Sequence, residues 1–143
     1  MRRVQTKPPS FPDVTFDQPL PWPEGERWSV VCGDRDHWRL GVYSPGETRP
    51  DELPELEQHD CPELFVLLRG NLTLLIADSD GLRELPLQPE VPVLIESPHA
   101  GFCPDGPHTG AALVVERDAF DTEYRTPEEW LEGERETVAD RRR

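Results

Sequence analysis

His59 and Glu63 stand four residues apart at the head of a long apolar run, Leu64 to Leu68. In an extended segment side chains alternate with a period of two, so both point to one side. An imidazole nitrogen and a carboxylate oxygen placed side by side can share one divalent ion, or can form a plain exposed ion pair. Cys61 falls between them on the same odd-numbered face. It is either a soft ligand pointing inward or, as free cysteines more often are, a small buried hydrophobe. Seven residues after Glu63 come Gly70 and Asn71. Glycine accepts positive φ without steric cost, so this pair can turn the chain.

The elements that must hold these groups read as strands. Trp28 to Cys32 and His37 to Ser44 are joined by a turn at Gly33 to Asp36. In the second, Trp38, Leu40 and Val42 share a face that suits the core. His37, Arg39, Gly41 and Tyr43 share the other, which lines a polar cavity or faces solvent. Further strands are predicted over Glu63 to Arg69, Leu72 to Ala77, Leu82 to Leu87, Val91 to Glu96 and Ala111 to Glu116, with a hairpin turn at Asp78 to Gly81. Phe65 to Leu68 and Leu113 to Val115 are apolar on both faces, so each face meets something dry. One face fills a barrel, and the other needs the N-terminal arm, a late helix or a second subunit. That requirement predicts a homodimer.

Six prolines, Pro8, Pro9, Pro12, Pro19, Pro21 and Pro23, keep the first 25 residues from forming a helix. At the other end Thr126-Pro127-Glu128-Glu129 combines an N-cap residue, proline at the first helical position and a capping-box glutamate. A helix starts there, with Trp130, Leu131 and Val138 as a thin apolar stripe and Arg141 to Arg143 at its C-terminal end. The expected organisation is therefore one domain: residues 1–25 a proline-rich arm, 26–125 a β-barrel, and 126–143 a helix with a basic tail.

The chain has 143 residues, with 29 acidic against 15 basic side chains and a formal charge of −14. Such a charge repels phosphate backbones and anionic membrane surfaces, which argues against nucleic acid as a partner. No apolar run approaches a membrane span, and the N-terminus lacks a secretory pattern, so a cytoplasmic protein is expected. Three widely separated cysteines, Cys32, Cys61 and Cys103, fit reduced thiols and make no zinc-binding pair.

His59, Glu63 and Gly70, with three and six residues between them, resemble the first motif of the cupin superfamily. In that motif a first histidine precedes by two residues, and here Glu57 stands in its place. Pro45-Gly46 resembles the motif's start, with Asp51 to Gln58 as an apparent insertion. Ser97-Pro98-His99 resembles a shortened second motif, which would make His99 the last metal histidine. His108, after Pro104-Asp105-Gly106-Pro107, is the rival for that role, and His99 is preferred because more chain remains after it to complete the strands.

The resemblance implies an all-β, double-stranded β-helix (a jelly-roll, cupin-like barrel) with a C-terminal α-helix. It implies a facial ligand set of His59, Glu63 and His99, with Glu57 as a fourth oxygen ligand. Such a set suits Fe(II) and accepts Mn, Ni, Zn or Cu. Arg39, Tyr43, Cys61 and Phe102 are the expected pocket residues, and His37 is a further candidate. Fold alone does not choose a reaction. The leading expectation is a metal-dependent enzyme, of oxidation or isomerisation, acting on a small polar metabolite. The alternative is a non-catalytic module that binds or senses a small ligand, with or without metal.

Overall fold

The computed structural model describes residues 1–141, the side chains of Glu134 and Val138 excepted. Two antiparallel sheets face each other. One contains β1 (Arg2–Thr6), β11 (Phe120–Arg125), β4 (Leu56–His59), β9 (His99–Phe102), β6 (Thr73–Asp78) and β7 (Gly81–Pro86), in that spatial order. The other contains β2 (Trp28–Asp34), β3 (Trp38–Tyr43), β10 (Ala111–Arg117), β5 (Glu63–Arg69) and β8 (Val93–Ile95). A single 3-10 turn, Pro50–Glu52, precedes β4, and α1 (Pro127–Arg141) follows the last strand. The arrangement is a jelly roll.

Alternation sorts the side chains. Along β5, Glu63, Phe65 and Leu67 are buried between the sheets, while Leu64 and Val66 face outward and Leu68 is exposed. Phe65 and Leu67 meet Leu74 and Ile76 of β6, Ile95 of β8 and Val114 of β10 in the inner core. Outside the six-stranded sheet Leu56, Leu75, Ala77, Ala100 and Phe102 pack under Trp130 and Leu131 of α1. Outside the five-stranded sheet Val31, Val42 and Ala111 meet Leu20 of the N-terminal segment. The second dry face is thus partly covered by the chain's own arm and helix.

Several expectations need correcting. The N-terminal arm contributes β1, which pairs along its whole length with β11. Strand β11 was not expected; the alternation of Phe120, Thr122 and Tyr124 with Asp121, Glu123 and Arg125 is the signal for it. Trp38 sits outside the core at 44% exposure, because the face it shares with Leu40 and Val42 is the outer face of the sheet and Arg39 and Tyr43 face the cavity instead. Gly70, with φ +62°, carries the chain from one sheet to the other, since β5 and β6 do not pair. A side chain there would strike the Thr109 carbonyl. By contrast, Asp78 and Gly81 close the β6–β7 hairpin as a two-residue turn, as predicted.

Helix α1 starts as its sequence specifies. The Thr126 hydroxyl accepts from the Glu129 amide at 3.2 Å, and the Glu129 carboxylate accepts from the Thr126 amide at 3.0 Å. Both are otherwise unpaired donors at a helix start. The Val138 side chain, Arg142 and Arg143, assigned from sequence to the stripe and tail, lie outside the described residues. Among the described residues no helix is long and apolar enough to cross a membrane.

Candidate metal centre

Strand β4 brings Glu57 and His59 into the space between the sheets, and β9 brings His99, which lies opposite Glu57 in register. The chain then turns at Asp60 to Pro62 and enters the opposite sheet, where Glu63 begins β5. The turn is fixed by reciprocal bonds of 3.1 Å, Asp60 amide to Asp121 carbonyl and Asp121 amide to Asp60 carboxylate. His59 and Glu63 therefore converge from two facing sheets and not from one strand.

Nε2 of His59 lies 3.2 Å from Oε2 of Glu63, and Nε2 of His99 lies 2.7 Å from the same oxygen. Oε1 of Glu57 and Oε2 of Glu116 are each 3.9 Å from Nε2 of His59. Two overlapping groups, Glu57 with His59 and His99, and His59 with Glu63 and Glu116, each have ligand atoms within 4.8 Å of one another.

The outer nitrogens orient the rings. Nδ1 of His59 is 2.7 Å from the Thr122 hydroxyl, and Nδ1 of His99 is 2.9 Å from the Ser97 carbonyl. A carbonyl only accepts, so His99 donates from Nδ1 and a neutral ring turns its Nε2 lone pair toward Glu63. Those two atoms form a close, buried ion pair in which neither makes a well-aligned hydrogen bond. A proton on Nε2 of His99 satisfies the pair in the metal-free protein, and a metal ion bound by both atoms would take that proton's place. The donor set fits a divalent ion.

Charges follow from this crowding. Burial raises the Glu63 carboxyl, but hydrogen bonding and charge from His59 and His99 outweigh it and hold it well below the usual carboxylate range. Burial lowers His99, yet Glu63 wins and raises it to about 9. Burial and the neighbouring Glu63 push Glu116 up to about 8 against the pull of Arg39.

A cavity of about 380 Å³ opens from the cluster, with walls that include Trp28, Arg39, Tyr43, Phe65, Phe120 and Tyr124. Arg39 faces Glu116 across β3 and β10 in register and binds it through Nε at 2.7 Å and Nη2 at 2.6 Å. The Tyr43 hydroxyl accepts from the Gly101 amide at 2.9 Å, and burial pushes its pKa up. Gly41 keeps this wall flat, since a Cβ there would collide with the Trp28 indole.

Two expected pocket residues lie elsewhere. Cys61 is buried beside the Asp60–Pro62 turn, where the strand breaks and its side chain no longer follows His59; burial pushes its thiol up. Phe102 points to the outer layer under α1. His37 is exposed in the β2–β3 turn. His108 has φ +59° and directs Nδ1 to the Ser44 carbonyl at 2.6 Å, away from the cluster. Glu116, Thr122 and Tyr124 were not singled out from the sequence. A glutamate ending the apolar run Ala111 to Val115 on its inward register was the available signal for the first.

No family model and no curated protein matches the sequence. Solved structures do. Hydroxypropylphosphonic acid epoxidase from S. wedmorenis, in complex with fosfomycin, superposes on 80% of this chain and 62% of its own, with TM-score 0.52 and 16% identity. A structure of FeII HppE covers 78% of this chain and 62% of that one, with TM-score 0.51 and 17% identity. The chain has the cupin fold. A cupin-2 domain containing protein from Shewanella frigidimarina aligns with 67% of this chain and 84% of its own length, at TM-score 0.49 and 16% identity. At such identities the likeness is one of fold. The chain spans 62% of the length of the epoxidase it matches.

Proposed function

We propose that this cupin binds a divalent transition metal through His59, His99, Glu63 and Glu57 and acts as an enzyme on a small polar metabolite, by oxidation or isomerisation. The observation that carries the reading is the convergence of His59 and His99 on one buried oxygen, Oε2 of Glu63, at 3.2 and 2.7 Å, with Glu57 beside them. A metal here would supply Lewis acidity or a redox centre. Proteins of like fold include HppE studied with FeII and with CoII.

The chain's own groups do the rest. Thr122 and the Ser97 carbonyl hold the two imidazoles so that both Nε2 atoms face the cavity. Phe65 and Phe120 pack edge-on against His99 and His59 at 5.5 and 4.7 Å and shield the centre from water. Trp28, Tyr43 and Tyr124 line the cavity with aromatic surface, the Tyr43 hydroxyl being held by the Gly101 backbone.

The test is elemental analysis of protein purified without added metal, then reloaded with Fe(II), Mn(II) or Ni(II). His59→Ala and His99→Ala each lose bound metal, while His108→Ala retains it. Equal loss in the His108 variant would overturn the assignment, and a parent protein that takes up no metal would remove the enzyme reading.

A further inference from the structure

Glu116 belongs to neither motif-like stretch, yet it ends a central strand on the inward register, after Ala112 and Val114. Its side chain is 2% exposed and that of Glu63 5%, so two carboxylates share one interior space. Arg39 neutralises one of them. The other, Glu63, faces the two imidazoles.

We infer that Glu116 is a further ligand of the metal centre and that Arg39 is its positioning residue. The inference rests on the metal-binding reading above. Arg39 engages Oε1 of Glu116 with both Nε and Nη2, leaving Oε2 turned toward Nε2 of His59. The guanidinium is itself fixed, 4.9 Å from the Phe120 ring centroid and 3.3 Å from the Ser10 carbonyl. Donor atoms bound about 2.1 Å from one octahedral ion lie about 3 to 4.2 Å apart. The 3.2 and 3.9 Å separations of His59 from Glu63 and Glu116 fall within that range. Ligand atoms of His59, Glu63 and Glu116 all lie within 4.8 Å of one another, close enough to hold one ion.

Glu57 and His99 form one donor group with His59, and Glu63 and Glu116 form a second, so Glu116 adds an anionic oxygen to the side of the centre that holds Glu63. Anionic oxygens favour harder ions, which tilts the site toward Mn(II) or Fe(II) and away from Ni(II).

Competition titrations with Mn(II) and Ni(II) on the full chain test this, with Glu116→Gln, Glu116→Asp, Arg39→Met and His59→Ala beside the parent. Glu116→Gln should weaken Mn(II) binding by about tenfold or more and Ni(II) binding less. Glu116→Asp keeps the charge beside Arg39 but shortens the reach, and should shift selectivity the same way while still folding by circular dichroism. Arg39→Met should shift it in that direction by less. Loss of a ligand should also strengthen the visible absorption of the Co(II) form. If His59→Ala abolishes binding while Glu116→Gln and a folded Glu116→Asp keep parental selectivity and Co(II) spectra, Glu116 is structural only and this inference alone falls. If the parent binds neither ion, both readings fall together.

Discussion

The Thr122 hydroxyl lies 2.7 Å from Nδ1 of His59 and directly opposite it in the β4–β11 register. A strand that supplies no ligand therefore sets the orientation of one. Outer partners of this kind are worth about 10- to 100-fold in metal affinity. Thr122→Val keeps the shape and should lower affinity within that range, whereas Thr122→Ser should retain it. Calorimetric titration with Zn(II) decides, and equal affinity in all three proteins would show that the ring is held by packing against Phe120 alone.

Acid and base act oppositely on the metal-free protein and on metal binding. His99 is raised from its ordinary 6.5 to about 9, so its contribution to stability is complete below pH ~6.5 and is lost as pH rises through about 9. Glu63 is lowered, so its contribution is present above its unfolded value of about 4.3 and is lost as pH falls below that. Thermal unfolding of the metal-free protein should show greatest stability between these limits. Metal must displace the His99 proton, so apparent affinity should rise about tenfold per pH unit between about pH 8 and 9 and then level off, and more steeply below pH 8 where a ligating Glu116 also gives up its proton. A flat melting temperature from pH 6.5 to 9 would show that the His99–Glu63 pair does not ionise.

Leu40, Val115, Leu64 and Leu94 stand in register across the outer face of the five-stranded sheet. The N-terminal segment covers the Val31–Val42 end of that face, but Leu94 at the far edge is 67% exposed and Leu68 is 43% exposed. Pairing of two chains over this apolar end should make a homodimer, with sedimentation at about twice the monomer mass. Leu94→Glu should yield a folded monomer, since a surface substitution of this kind costs little stability. A parent protein that is monodisperse as a monomer at micromolar concentration would refute the pairing.

Trp130 donates from Nε1 to the Leu56 carbonyl at 3.1 Å and packs over Leu53, Leu56 and Phe102. It thereby fastens the helix to the short strand that presents Glu57 and His59. Trp130→Ala should cost about 3–5 kcal/mol in denaturant unfolding. Trp130→Phe, which keeps most of the packing, should lose about 1 kcal/mol. A cost below 1 kcal/mol for the alanine variant would mean that α1 contributes little to holding β4.

Local chemistry was legible from the residues alone. The Asp78–Gly81 turn and the capping box of Thr126 and Glu129 depend on neighbours a few positions away, and sequence order specifies such contacts. Facing relations are different. Periodicity states which side chains share a side of one strand, and it misplaced Cys61 because the strand breaks at Asp60 to Pro62 and resumes in the other sheet. Whether Arg39 would meet Glu116, or Thr122 would meet His59, depends on which strands become neighbours and in what register. Those pairings join residues more than 60 positions apart, where burial of whole faces outweighs any local preference. The ligand-bearing motif was therefore visible in the chain, while the carboxylate and hydroxyl around it emerged only when the two sheets closed on one another.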